Sequence, residues 1–232
     1  MNNSQVPSNS PYPIAVIIPA YNEGDRIGRV ISTLYSAEFI NEIIVINDGS
    51  RDTTAEELDQ LSHHDPRIRI LQHTTNLGKG QAVYTGINAT QAPYLILLDA
   101  DLIGLTSTHI WALIQPVIFC GMDMTLGLFH GGQLGTDLSH RLTPWLTGQR
   151  GIRSELFQKI SKHAAAGYGL ETALTVAAHQ QQWRCLNVTL NGVSHTPSEF
   201  RRGIWHGARI KSKMFFQIWQ AWQMTRTNHD LD

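Results

Sequence analysis

Two carboxylates stand one residue apart at the end of an apolar run, Tyr94-Leu95-Ile96-Leu97-Leu98-Asp99-Ala100-Asp101. Side by side they repel, and the usual remedy is a divalent cation held by oxygen ligands, which in turn attracts phosphate. The aliphatic run reads as a buried parallel strand bounded by Pro93, so both acids emerge at its C-terminal edge. Ligands of open α/β sheets bind at that edge.

Three more polar loops follow apolar runs in the same way: Pro19-Ala20-Tyr21-Asn22-Glu23, Asn47-Asp48-Gly49-Ser50 and Asn76-Leu77-Gly78-Lys79-Gly80. Each by itself is an ordinary turn. In a parallel sheet all four converge on one edge and form a pocket.

The elements that must position these loops repeat as β-α steps. Ile14 to Ile18, Glu42 to Ile46, Ile68 to Leu71 and Tyr94 to Leu98 read as strands. Helical faces follow at Ile27, Val30, Ile31 and Leu34, at Leu58 and Leu61 behind a Thr53 or Thr54 cap, and from Gln81 to Thr90. Such alternation predicts a right-handed, mostly parallel sheet with helices on both faces. The second half is less regular. A helix from Ser107 to Gln115 is stopped by Pro116, Met122 to Phe129 alternates like a half-exposed strand, Ser154 to Ser161 and Gly169 to Gln180 read as helices, and Arg184 to Leu190 as a strand with Leu186, Val188 and Leu190 inward.

At 232 residues and 42% apolar content the chain is expected to form one domain with a real core. Residues 1–12, rich in Asn, Ser and Pro, read as a disordered leader. A formal net charge of −1 excludes the global basic field of a nucleic-acid binder, so any phosphate recognition is local. Cys120 and Cys185, without CxxC spacing, read as buried thiols of a reduced cytoplasmic protein, and no stretch is long and apolar enough to span a membrane.

With those residues in view, Ile17-Ile18-Pro19-Ala20-Tyr21-Asn22-Glu23, Val45 to Asp52, Asn76 to Gly80 and Leu98 to Asp101 resemble, in order and spacing, the successive signatures of glycosyltransferase family 2. The resemblance implies a GT-A (Rossmann-like) α/β fold over residues 13–200, with 13–105 as the nucleotide-sugar half and 106–200 as the acceptor half. It implies a metal-dependent transferase using a nucleoside-diphosphate sugar, with polyprenyl-phosphate sugar transferases and phosphoglycerate glycosyltransferases as similar enzymes. In those, Pro19, Ala20, Tyr21, Glu23 and Asp48 would hold base and ribose, and Lys79 would meet phosphate or base. Asp101 would bind Mg²⁺ or Mn²⁺, with Asp99 sharing the metal or holding ribose. His195, by itself an ordinary imidazole, would join the metal as a late ligand. Glu171 in Gly167-Tyr168-Gly169-Leu170-Glu171 would be an acceptor-side carboxylate, either a base for a hydroxyl or a contact to the sugar. Arg150 and Arg153, in Thr147 to Arg153, would lie on the acceptor side and suit a carboxylate or phosphate acceptor, or equally form a solvated pair.

Residues 201–232 open with five basic residues between 201 and 213 and no acid. Arg202, His206, Arg209, Lys213, Gln217 and Gln220 line one side of a C-terminal amphipathic helix, against Ile204, Trp205, Ile210, Phe215, Phe216, Ile218, Trp219 and Trp222. Such a helix fits peripheral contact with anionic lipid over 201–222, and equally packing on its own sheet or in a homodimer. Two rivals to the transferase reading stand: a nucleotide-sugar binder without turnover, and a sugar-1-phosphate nucleotidyltransferase. Pro19 to Glu23 lacks the glycine-rich, arginine-bearing loop the latter needs.

Overall fold

The computed structural model describes residues 12–130, 147–157, 160 and 169–196. The expected leader through residue 11, residues 131–146, 158–159 and 161–168, and the expected C-terminal amphipathic helix within 197–232 lie outside the described residues. Tyr12, assigned by sequence to the leader, packs edge-on against Tyr94 and Phe119, so order extends at least that far.

The strands are β1 (Ile14–Ala20), β2 (Glu42–Asp48), β3 (Ile68–His73), β4 (Tyr94–Leu97), β5 (Leu102–Ile103), β6 (Met124–His130), β7 (Arg150–Arg153), β8 (Cys185–Asn191) and β9 (Ser194–His195). The helices are α1 (Gly24–Tyr35), α2 (Thr54–His64), α3 (Lys79–Asn88), α4 (Ser107–Phe119), α5 (Ser154–Phe157) and α6 (Leu170–Gln180). Seven strands form one sheet in the order β3-β2-β1-β4-β7-β6-β8. The first four are parallel, as the β-α repeat predicts, β7 runs antiparallel to β4 and β6, and β8 is parallel to β6.

Alternation along the strands builds two cores. Ile14, Val16, Ile18, Ile43 and Val45 face α1, α2 and α4. Ala15, Ile17, Ile44, Ile46, Leu95 and Leu97 face α3, α5 and α6. Burial on both faces explains the uninterrupted apolar runs. Gly86 lets α3 lie close to the sheet, since a methyl group there would meet Ile46 and Ile17, and that proximity brings Lys79 to the strand tips.

The second half departs from expectation in four places. Pro116 does not end α4, which continues to Phe119. A proline gives up one helical hydrogen bond, and burial of Leu113, Ile114 and Val117 in the same turns offsets that loss. The strand read as half-exposed, β6, is buried along most of its length because α4 covers its polar positions: the Thr125 hydroxyl donates to the Leu113 carbonyl at 2.5 Å and accepts from the Gly151 N–H at 3.0 Å. In β8 only Leu190 is fully inward, Val188 is partly buried, and Leu186 is exposed, as befits an edge strand. Cys120 and Cys185 are exposed rather than buried, one just past α4 and the other opening that edge. Of the expected helix Ser154 to Ser161, α5 covers Ser154–Phe157. No described helix is long and apolar enough to cross a membrane.

Candidate active site

Two loops are stitched together before any ligand is considered. The Asn22 N–H donates to the Ser50 hydroxyl at 3.0 Å, the Arg51 N–H to the Asn22 side-chain oxygen at 2.9 Å, and the Glu23 N–H to the Thr54 hydroxyl at 2.8 Å. Asn22 adopts a left-handed conformation, φ 56°, to make this turn. The third loop joins through Asp48, whose buried carboxylate accepts from the N–H groups of Leu77 at 3.0 Å and Gly78 at 2.8 Å and from His73 Nδ1 at 2.6 Å. His73 Nε2 in turn lies 3.0 Å from the Thr85 hydroxyl. His73 lay outside the sequence reading. It sits two residues beyond the strand expected there, and only the β2-β3 register, Asp48 opposite His73, reveals its role.

The result is a cleft of about 400 Å³ lined by residues of all four loops, among them Pro19, Ala20, Tyr21, Glu23, Asp48 and Lys79. Tyr21 is 38% exposed, so its ring is free to receive a flat ligand instead of being packed away.

At the far end Asp99, Asp101 and His195 bring one ligand atom each to within 4.8 Å of one another. His195 Nδ1 is 3.0 Å from Asp101 Oδ1, and Nε2 is 4.0 Å from Asp99 Oδ2. His195 arrives from ninety-four residues away because β9 pairs with β5, Leu102 opposite His195. Thr196 fastens the junction through N–H and hydroxyl bonds to the Asp101 carbonyl, at 3.2 and 2.9 Å. Burial disfavours the imidazolium, but the hydrogen bond to Asp101 and the charges of Asp99 and Asp101 win and hold His195 above its ordinary value. Two carboxylates and an imidazole suit a divalent cation of the Mg²⁺ or Mn²⁺ kind.

Lys79 opens α3, where the helix dipole opposes a cation. Two carboxylates compensate: Asp99 Oδ1 lies 2.6 Å and Glu171 Oε1 2.5 Å from its Nζ. Burial works against these charges, yet the partners prevail, raising Lys79 above the usual lysine range and lowering Asp99 below the usual carboxylate range. Glu171, in the first turn of α6, thus borders a narrow inner space shared with Pro19, Asp99 and Gly148.

Arg150 lines that same space but does not face an acceptor at the surface. It is fully buried because α6 covers its face of β7, with the guanidinium against the Glu171 carbonyl and the Thr175 hydroxyl. Its guanidinium donates to the Thr147 and Glu171 carbonyls at 3.0 and 3.1 Å, tying β7 to the start of α6. Burial pushes its pKa down to about 10.

Comparison with known proteins agrees with this architecture. The profile of the family described as Glycosyl transferase family 2 matches residues 15–177. A dolichyl-phosphate beta-glucosyltransferase of Trichomonas vaginalis is 37% identical over 94 residues, 37% of this chain and 28% of that protein. The dolichol-phosphate mannosyltransferase of Saccharomyces cerevisiae is 36% identical over 93 residues, 38% of this chain and 35% of that protein. The match thus spans about a third or less of these curated relatives. Among solved structures, glucosyl-3-phosphoglycerate synthase of Mycobacterium tuberculosis, in complex with Mn²⁺, uridine diphosphate and glucosyl-3-phosphoglycerate, superimposes with a TM-score of 0.72 at 21% identity, over 92% of this chain and 81% of that one. That likeness is one of fold. With the four signature loops on one sheet edge and the family profile matching most of the described sheet, the chain belongs to glycosyl transferase family 2.

Proposed function

We propose that this protein transfers a sugar from a nucleoside-diphosphate sugar to a phosphate-bearing acceptor in a reaction that depends on Mg²⁺ or Mn²⁺. The observation that carries the reading is the meeting of Asp99, Asp101 and His195 at the end of a cleft whose other wall is the Pro19 to Glu23 loop, Asp48 and Lys79. Asp101 and His195 would hold the cation, with Asp99 beside it. When bound, the cation offsets the negative charge of the diphosphate leaving group. Tyr21 offers a ring to the base, and Pro19, Ala20 and Glu23 close the cleft around base and ribose. Asp48 fixes the Leu77 and Gly78 backbone, which sets where Lys79 begins, and Lys79 supplies a cation to the developing diphosphate charge.

The acceptor is read as anionic because the similar proteins carry dolichyl phosphate or phosphoglycerate in their names. Glu171 is committed to Lys79 at 2.5 Å, an arrangement suited to orienting the donor-side cation. A lipid-phosphate acceptor, whose attacking oxygen is already an anion, needs no strong base. A lipid phosphate gains support from the basic, aromatic run 201–222. Its expected signature is flotation with anionic vesicles, lost when Trp205, Trp219 and Trp222 are replaced together, whereas a soluble phosphoglycerate-type acceptor predicts no flotation.

The test of the donor reading is a screen of UDP-, GDP- and dTDP-sugars with and without Mn²⁺. One nucleotide is expected to support metal-dependent sugar release and transfer. Asp101→Ala is expected to abolish both, a loss of at least a hundredfold, while the melting temperature of the metal-free protein stays within a few degrees. Undiminished metal-dependent turnover in that variant would remove the assigned role, and donor binding without transfer to any acceptor would favour a binder without turnover.

A further inference from the structure

One buried polar side chain at the site has no part in the reading above. Gln149 is fully buried just before β7, on the strip of backbone that the register Leu97 opposite Arg150 lays beside the tip of β4. Its Nε2 donates to Asp99 Oδ2 at 2.7 Å. Its Oε1 lies 2.9 Å from the Thr147 hydroxyl, whose oxygen is also 2.6 Å from the Gly127 carbonyl. The chemistry fixes which way the amide points: turned over, it would set its carbonyl oxygen against a carboxylate. The neighbouring Gly148 supplies the room, because a methyl group there would lie 2.6 Å from Asp99 Oδ2 and 2.7 Å from Lys79 Nζ.

Asp99 is therefore held at both oxygens, Oδ1 by the Lys79 ammonium and Oδ2 by the Gln149 amide. Two anchors on one carboxylate remove its freedom to rotate and set the attitude it presents to Asp101 and His195. An amide does this without charge. It can hold the oxygen in place without drawing the carboxylate away from a cation, as a second ammonium would, and without adding the repulsion a further acid would bring.

We propose that Gln149 is a positioning residue for the donor site, acting through Asp99 to fix the geometry in which nucleoside diphosphate and divalent cation are bound. The inference rests on the donor-site reading given above.

The experiment is a double-mutant cycle on the full chain. Affinity for Mn²⁺ together with whichever of UDP, GDP and dTDP the parent protein binds is measured by calorimetry for the parent, Gln149→Leu, Asp99→Ala and the double variant, with melting temperatures alongside. Leucine keeps the bulk and removes the donor. Expected is about a tenfold loss of nucleotide affinity in Gln149→Leu, the equivalent of one lost hydrogen bond to a charged group. No further loss is expected when the same change is made on Asp99→Ala, because the partner through which Gln149 acts is gone. Gln149→Met, unbranched and able to settle into the same space, serves as the second variant should leucine unfold the strand, and the same tenfold loss is expected of it. An unchanged affinity in a folded Gln149 variant, or the same loss with and without Asp99, would overturn the proposal while leaving the donor reading in place. Failure of the parent to bind any of the three nucleotides with Mn²⁺ would instead overturn the donor reading and this role with it.

Discussion

Glu23 shows how a single residue at the cleft senses the whole cluster of acids. Burial, with the carboxylates of Asp101, Asp52 and Asp99 adding to it, pushes its pKa from 4.5 up to about 7 against the pull of the Arg26 guanidinium 3.1 Å away. A carboxyl whose folded pKa lies above its unfolded one contributes stability that is complete below the unfolded value and is lost as pH rises through the folded value. In the metal-free protein the window of loss is thus about pH 4.5 to 7. Glu23→Gln, which has no charge to bury, is expected to gain on the parent across that window by on the order of 2–3 kcal/mol. Urea melts of both proteins in chelator at pH 5 and pH 8 measure the gap, and one that does not widen with pH would contradict the assignment. Asp101 and Gln149 belong to this scale as well, one expected to carry the cation and the other to steady its neighbour.

Elements are held to one another at points that no periodicity in the sequence marks. Arg67, just before β3, donates to the Leu34 and Tyr35 carbonyls at 3.0 and 3.3 Å, where α1 ends without a basic residue of its own, and to the Ala37 and Ile40 carbonyls at 2.8 and 3.2 Å. Asp65 orients the guanidinium through a 2.6 Å ion pair, and the hydrogen bonds from Arg67 outweigh burial to hold the Asp65 carboxyl below its ordinary value. Arg67→Ala leaves four carbonyls and a carboxylate without this donor, and a loss of about 2–4 kcal/mol in chemical denaturation is expected. The β5-β9 pair works on the same scale, its backbone pairing carrying His195 to Asp101.

At the scale of the whole molecule, one sheet edge gathers the four-loop cleft, and a mixed second half closes it from the side. A ligand that binds only the folded protein stabilises it by mass action, about 2.7 kcal/mol at a hundred times its dissociation constant. For a chain of this size that corresponds to a rise in melting temperature of roughly 5–10 °C. The cognate nucleoside diphosphate with Mn²⁺ is expected to produce such a rise, and chelator to abolish most of it. Equal shifts with and without metal would separate nucleotide binding from the acidic cluster.

The sequence by itself determined the parallel half of the fold and the loops that meet at its edge. Strands buried on both faces must be apolar throughout, so β1, β2 and β4 announce themselves, and the polar residues following them have one place to go. It also marked Asp99 and Asp101 as a pair. Tertiary structure decided what happens where covering elements come from afar. The Thr125 face of β6 is dry because α4 lies on it, Pro116 stays helical because its neighbours are buried, and Arg150 turns inward because α6 lies over its face of β7. His195, His73 and Gln149 acquire their places from strand register across long stretches of chain. Local patterns record the faces an element must bury, while the partner standing opposite a given side chain is fixed only when distant strands pair.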